Sequence, residues 1–169
     1  YVASVSIRDI NEIFEIRAAL ESLACELAAE RITDEEQERL ERLLVGIGRA
    51  IEEHDMERIV RTDIEFHELL YQAARNERLL VIIGNLREQL TRFRTISMSY
   101  PGRLKATLEE HRAIVDAIGS GDARHARKVG ARHMENSEKT LLYAIEEQEK
   151  KTGTTLVKRK GKKSQEDAE

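Results

Sequence analysis

The residues of this chain best suited to chemistry are Asp63 and His67 in TDIEFH, His111 in EEHRAIV and His133 in ARHMENS. Each falls on the apolar side of a predicted helix, where a titratable group is costly unless something compensates it. One carboxylate and three imidazoles converging on one core outline a transition-metal site. Asp63 and His67 are one helical turn apart and share a face with Val60, Leu70 and Ala74. His111 lies in the stripe Leu104, Leu108, Val115 and Ile118, and His133 aligns with Ala126, Val129 and Leu141. Spacing alone leaves two readings open. The residues are metal ligands offered by three helices, as in bundles with sites in their cores, or they are hydrogen-bonded core histidines with Asp63 as ion-pair partner or orienting group. His54 in EEHD and His125 beside Arg124 and Arg127 fall at solvated positions and are given no role.

Arginines raise a second question. Arg17 sits among Ile13, Leu20 and Ala24 with Glu21 four residues on. It is either half of a surface ion pair or a guanidinium that reaches inward to hold an anion through two hydrogen bonds. Arg92 and Arg94 pose the same choice, and only one of them can point inward. Helical phase does not settle which, although Leu86, Leu90 and Phe93 favour a face nearer Arg94.

The elements that must position these groups are all helical. Apolar residues recur at helical spacing from Ile7 or Arg8 to Glu30, and Thr33 with Glu36 forms a capping box for a second helix to about Glu53. Asp55 caps a third helix, Met56 to Ala74, and Asn76 breaks the chain before a fourth that runs towards Ser97. The stretch SMSYPG, Ser97 to Gly102, reads as the clearest loop. A fifth helix spans Arg103 to Ile118, and Asp122 caps a sixth that reaches about Lys150. The expected fold is all-α, an antiparallel bundle of six to seven helices over residues 1–150. A flexible charged tail, residues 151–169, with a basic cluster from Lys158 to Lys163, is expected to follow.

Composition agrees with this and narrows the function. In 169 residues, 36% are charged, 4% are aromatic, there is one Pro and there is no Trp, a helix-rich profile. A net charge of −4 offers no general attraction to nucleic acid, so this segment is not expected to bind DNA by itself. Cys25 stands alone and reads as a small packed hydrophobe. There is no secretory signal and no apolar run long enough to span a bilayer, which points to the cytoplasm and away from a membrane. The start at Tyr1, without a Met, suggests a fragment whose preceding domain is not included.

The run DINEIFEIRAALESLACELAAERIT, the D-x-x-x-H of TDIEFHELLYQAARNERL and the segment EEHRAIVDAIGSGDARHARKVGARHMENS together resemble the FCD ligand-binding domain. That domain is the C-terminal effector domain of the FadR subfamily of GntR transcription regulators. The resemblance covers about Ile7 to Leu142. Its first motif falls on Glu15, Arg17, Leu20 and Glu21, and its second on Glu110, His111, Ile114, Ala117, Ile118, Gly121, Asp122, Ala126 and His133. The resemblance implies a helical bundle that holds a metal through Asp63, His67, His111 and His133. It also implies a homodimer and an N-terminal winged helix-turn-helix that binds operator DNA. Some relatives lack the histidines and bind acyl-CoA instead, whereas this chain keeps the four ligand positions. Arg17 matches the family's first-helix Arg, which implies contact with the effector.

On this reading the chain senses a small organic acid. A divalent transition ion (Zn, Ni or Mn) inside the bundle receives the acid, Arg17 and Arg94 clamp it, and the change is passed to DNA binding. Two rivals are a metal-dependent enzyme and a metal-free helical dimerisation module. Superoxide dismutases pair such ligands with a sheet and Trp residues, and di-iron bundles use Glu-x-x-His; this chain has none of these. A hydrolytic site would need a free base. The nearest in sequence, Glu110, is expected to point away from His111.

Overall fold

The structure, a computed structural model, describes residues 5–158. It contains seven α-helices: α1 (Ile7–Arg31), α2 (Asp34–Glu52), α3 (Met56–Ala73), α4 (Glu77–Gln89), α5 (Arg94–Met98), α6 (Arg103–Gly119) and α7 (Ala123–Thr152). A single 3-10 turn, Thr91–Phe93, joins α4 to α5. The all-α expectation holds, with the boundaries written by local chemistry. Thr33 accepts from the Glu36 N–H while the Glu36 carboxylate accepts from the Thr33 N–H, closing the expected capping box at α2. Asp55 and Asp122 accept from the Arg58 and His125 amides at 3.0 and 2.9 Å. Two caps were not foreseen. Ser6 with Asp9 forms a capping box for α1, and Asn76 is the N-cap of α4 rather than only a break. Such caps contribute about 1 kcal/mol each.

The fourth helix does not run on to Ser97. It stops at Gln89, and the 3-10 turn redirects the chain so that Phe93 is buried while α5 starts at Arg94. The expected Ser97–Gly102 loop is accordingly shorter: Ser97 and Met98 belong to α5, and the turn proper holds Tyr100, Pro101 and Gly102, the last at φ +79°.

The most extensive packing is between α1 and α7. Gly130 permits it, because a Cβ there would come within 2.7 Å of Cys25 Sγ. Three apolar clusters divide the interior, the smallest of them Ala50, Ile59 and Met98. The largest gathers Ala24, Ala28, Leu40, Ile47, Phe66 and Ile118 from α1, α2, α3 and α6, among others. The second comprises Ile10, Ile13, Phe14, Leu90, Phe93, Leu141, Ile145 and Val157. Burying each such aliphatic or aromatic side chain contributes roughly 1.5–3 kcal/mol.

Val157 corrects the expectation of a flexible tail from residue 151. It is 1% exposed, the amides of Leu156 and Val157 donate to Glu149, and Lys158 pairs with the start of the chain in a parallel bridge to Ser6. Apolar periodicity ends at α7, but one valine suffices to pin the segment because α1 offers it an apolar seat. The rest of the expected tail, including most of the basic cluster, lies outside the described residues. Among the described residues, no helix is long and apolar enough to cross a membrane.

Candidate metal centre and anion cavity

Helices α3, α6 and α7 bring His67, His111 and His133 together, with one donor atom of each lying within 4.8 Å of the others. All three are buried, His111 completely. Asp63 Oδ1 lies 3.8 Å from His67 Nε2 and 3.9 Å from His111 Nε2. Donor atoms that each sit roughly 2.0–2.2 Å from one ion can be at most about 4.3 Å apart. The two Asp63 separations fall inside that span, and the histidine set is slightly wider.

What lies behind each histidine decides which nitrogen faces the centre. The Tyr71 hydroxyl donates its one proton to Glu21, whose carboxylate can only accept. Tyr71 Oη therefore accepts from both of its other neighbours, Arg87 Nη1 at 2.8 Å and His67 Nδ1 at 3.0 Å. The proton of His67 is thereby assigned to Nδ1, and the lone pair of Nε2 faces Asp63 and His111. Across the site, His133 Nδ1 lies 2.7 Å from Glu110 Oε2 and donates to it by the same logic. Arg103 donates to both Glu110 oxygens at 3.1 Å, and Asn136 donates to Oε1 at 2.8 Å. Both arrangements are the carboxylate or hydroxyl support that holds a metal-binding imidazole in one tautomer.

His111 is different. Neither ring nitrogen has a hydrogen-bond partner among the described residues. Phe66 stacks on its ring with centroids 4.3 Å apart and planes 15° apart. A fully buried imidazole with two unpaired nitrogens costs about 1–3 kcal/mol per group left unmade. The donor set fits a bound ion, which would take one of the two unpaired His111 nitrogens.

Burial dominates the electrostatics. It pushes His67 and His111 well below the usual imidazole range, with nearby positive groups (Arg87 first for His67, His133 first for His111) pushing the same way. Both rings are therefore neutral, the form that ligates. Burial also raises the Asp63 carboxyl, against the pull of Arg87 and Arg94. Burial would raise Glu21 too, but Arg17, Arg87 and the Tyr71 hydroxyl outweigh it and hold Glu21 below the usual carboxylate range.

Beside the cluster opens a cavity of about 100 Å³, where one water needs only roughly 10–15 Å³. Asp63, His67 and His133 form one end, and Arg17, Arg87, Arg94 and Arg103 contribute guanidiniums. The apolar wall comes from the second cluster, through Phe14, Leu90, Phe93 and Leu141.

Both Arg17 and Arg94 line the cavity. Arg17 and Glu21 form a buried ion pair at 2.7 Å, with side chains 11% and 4% exposed, not a surface pair. Arg94 lines the cavity, whereas Arg92 is exposed and lies over the Phe93 ring at 4.5 Å. The 3-10 turn makes that choice. His54 and His125 are exposed, as expected. Glu110 points to His133 on another helix, with both oxygens occupied, so it is not a free base. Tyr71, Arg87, Arg103 and the role of Glu110 were missed in the sequence. Tyr71 carried a signal, since it follows His67 by four residues, as His67 follows Asp63.

A helical bundle that closes imidazoles and a carboxylate over an arginine-lined cavity has the build of a small-molecule sensing domain. Residues 12–136 match the FCD domain family. The chain belongs to that family, an effector-sensing domain class of GntR-type transcription regulators rather than of enzymes. It is 28% identical over 148 residues to the uncharacterized HTH-type transcriptional regulator YdhC of Bacillus subtilis (strain 168), over 86% of this chain and 66% of that protein. To the HTH-type transcriptional regulator LutR of the same organism it is 30% identical over 144 residues, 82% of this chain and 65% of that one. The chain thus spans about two thirds of the length of these curated relatives. Among solved structures it is similar to Escherichia coli McbR/YncC, with a TM-score of 0.74 and 25% identity over 80% of this chain and 69% of that chain. Streptococcus agalactiae GntR matches with a TM-score of 0.66 and 26% identity, over 78% of this chain and 58% of that one.

Proposed function

We propose that this chain is the effector domain of a FadR-type, cytoplasmic, homodimeric regulator that senses a small organic acid at a divalent metal centre and thereby modulates operator binding by an N-terminal winged-helix domain. The observation that carries the reading is His111, completely buried with two unpaired nitrogens, facing Asp63 beside two imidazoles already set in one tautomer. A metal-free dimerisation module would leave that cost uncompensated.

Asp63, His67, His111 and His133 would hold the ion. Imidazoles suit Zn and Ni, and the carboxylate extends the choice to Mn. When bound, the ion supplies positive charge and open coordination positions for an acid oxygen. The chain's own residues do the rest. Tyr71 and Glu110 keep the protons of His67 and His133 on Nδ1. Arg17 and Arg94 present guanidiniums to the same cavity, and Phe14, Leu90 and Phe93 keep water from the ligand's apolar part. An acid that prefers one arrangement of the dimer shifts the population towards it by its differential affinity.

The test is elemental analysis of untagged protein, followed by calorimetric titration of the Zn-, Ni- and Mn-loaded forms with a panel of carboxylates. Stoichiometric metal and saturable acid binding, both lost in His111→Ala, are expected. Protein that neither retains nor is stabilised by any of the three ions rules the reading out.

A further inference from the structure

The charges around the cavity do not balance, and the imbalance is localised. Four guanidiniums, Arg17, Arg87, Arg94 and Arg103, line it. Three carboxylates answer them. Glu21 pairs with Arg17, Glu110 takes both arms of Arg103, and Asp63 stands in the histidine cluster. Counted over these arginines and carboxylates alone, one positive charge remains. A divalent ion at the cluster would raise the excess to three.

The excess can be traced to one of the four by its hydrogen bonds and ion pairs. Arg103 is further fixed by Ser137 at 2.8 Å, and Arg87 is tied to the Tyr71 hydroxyl. Arg94 alone of the four has neither a hydrogen bond nor an ion pair among the described residues. Its position is nonetheless set, since the 3-10 turn buries Phe93 and presents Arg94, Ser97 and Met98 to the cavity together. Burial, then the like charge of Arg87, pushes the Arg94 pKa below its ordinary value, as for a cation short of a counterion.

We propose that the effector is a dianion, with one acid group at the Asp63–histidine centre and a second acid group, carboxylate or phosphate, seated on Arg94. This rests on the acid-sensing reading above and adds to it the class of acid. A monoanion leaves Arg94, half-buried at the cavity wall, without a hydrogen bond or ion pair of its own. A second acid group gives it a charge-assisted pair, and the planar guanidinium matches two oxygens of one acid group. The aliphatic frame between the two groups lies against Phe14, Leu90 and Phe93.

Butyrate, succinate and 3-phosphonopropanoate share one aliphatic frame and differ in the second group. Calorimetric titration of the metal-loaded protein with each is expected to show succinate or the phosphonate binding at least about tenfold tighter than butyrate. The tighter of the two dianions identifies the second group, and either order supports the proposal. In Arg94→Gln the preference is expected to fall below about twofold, and Arg94→Lys is expected to keep part of it. Equal affinities of wild type for butyrate and both dianions, or an undiminished preference in Arg94→Gln, overturn the dianion and leave acid sensing intact. Metal-loaded wild type that binds none of the three probes overturns both.

Discussion

At the imidazole end of the cavity, Tyr71 and Glu110 grip the outward nitrogens of His67 and His133, whereas at the arginine end Arg94 has no hydrogen bond or ion pair among the described residues. The first end is organised before anything binds. Its tautomers are chosen, its carboxylate partners are saturated, and filling it requires little reordering. The second is an unanswered charge. A site prepared in this way binds its first group by preorganisation and discriminates by what reaches the second. His111 is the exception inside the ordered end, held by Phe66 and by packing rather than by hydrogen bonds.

The largest test of this contrast is His111→Leu. On the proposed reading it removes a ligand, so metal affinity is expected to fall more than about a hundredfold, beyond the effect of losing a supporting partner. The metal-free protein, by contrast, is expected to gain about 1–3 kcal/mol, because an apolar side chain of similar size replaces two unpaired nitrogens. Chelator competition and urea unfolding read the two quantities. A less stable metal-free variant would mean that His111 has a partner of its own.

Acid comes next. The folded pKa values of His67 and His111 lie below that of a free imidazole, so the unfolded chain binds protons first as pH falls. Stability is therefore present above pH about 6.5 and is lost below it, at about 1.4 kcal/mol per pH unit for each ring, until the folded pKa values are reached. Urea midpoints of the metal-free protein between pH about 7.5 and about 5 check this. A flat profile breaks the claim that these imidazoles are held neutral.

Glu110→Gln and Tyr71→Phe should each weaken metal binding by roughly 10–100-fold while leaving the ligands in place. Unequal losses would show which helix sets the site more firmly. At the other end, Arg92→Gln is the smallest expected change, within about 0.5 kcal/mol in stability and without effect on acid binding. If it matched Arg94→Gln in a carboxylate titration, the assignment of the arginine end would be wrong.

Helix existence and the inward faces were legible because both depend on local patterns. Caps at Thr33, Asp55 and Asp122, and the Asp63–His67 pair one turn apart, could be read without knowing the fold. The supports were not legible, because they cross between helices. Glu110 is adjacent to His111 yet serves His133, and Glu21 reaches Tyr71 from a different helix. The choice of Arg94 over Arg92 turned on a 3-10 turn where continuous helix was expected. Val157 was hidden for a similar reason, since one apolar residue after a charged stretch has no periodicity to betray it.

The sequence by itself determined an all-helical chain, the residue types of the candidate site and the faces from which they project, since helical spacing and side-chain chemistry are properties of a single segment. Only the tertiary structure decided that three helices meet at one point, which imidazole nitrogen faces inward and which cavity arginine has no hydrogen bond or ion pair among the described residues. Those outcomes depend on the distances between segments far apart in the chain, and no local pattern encodes them.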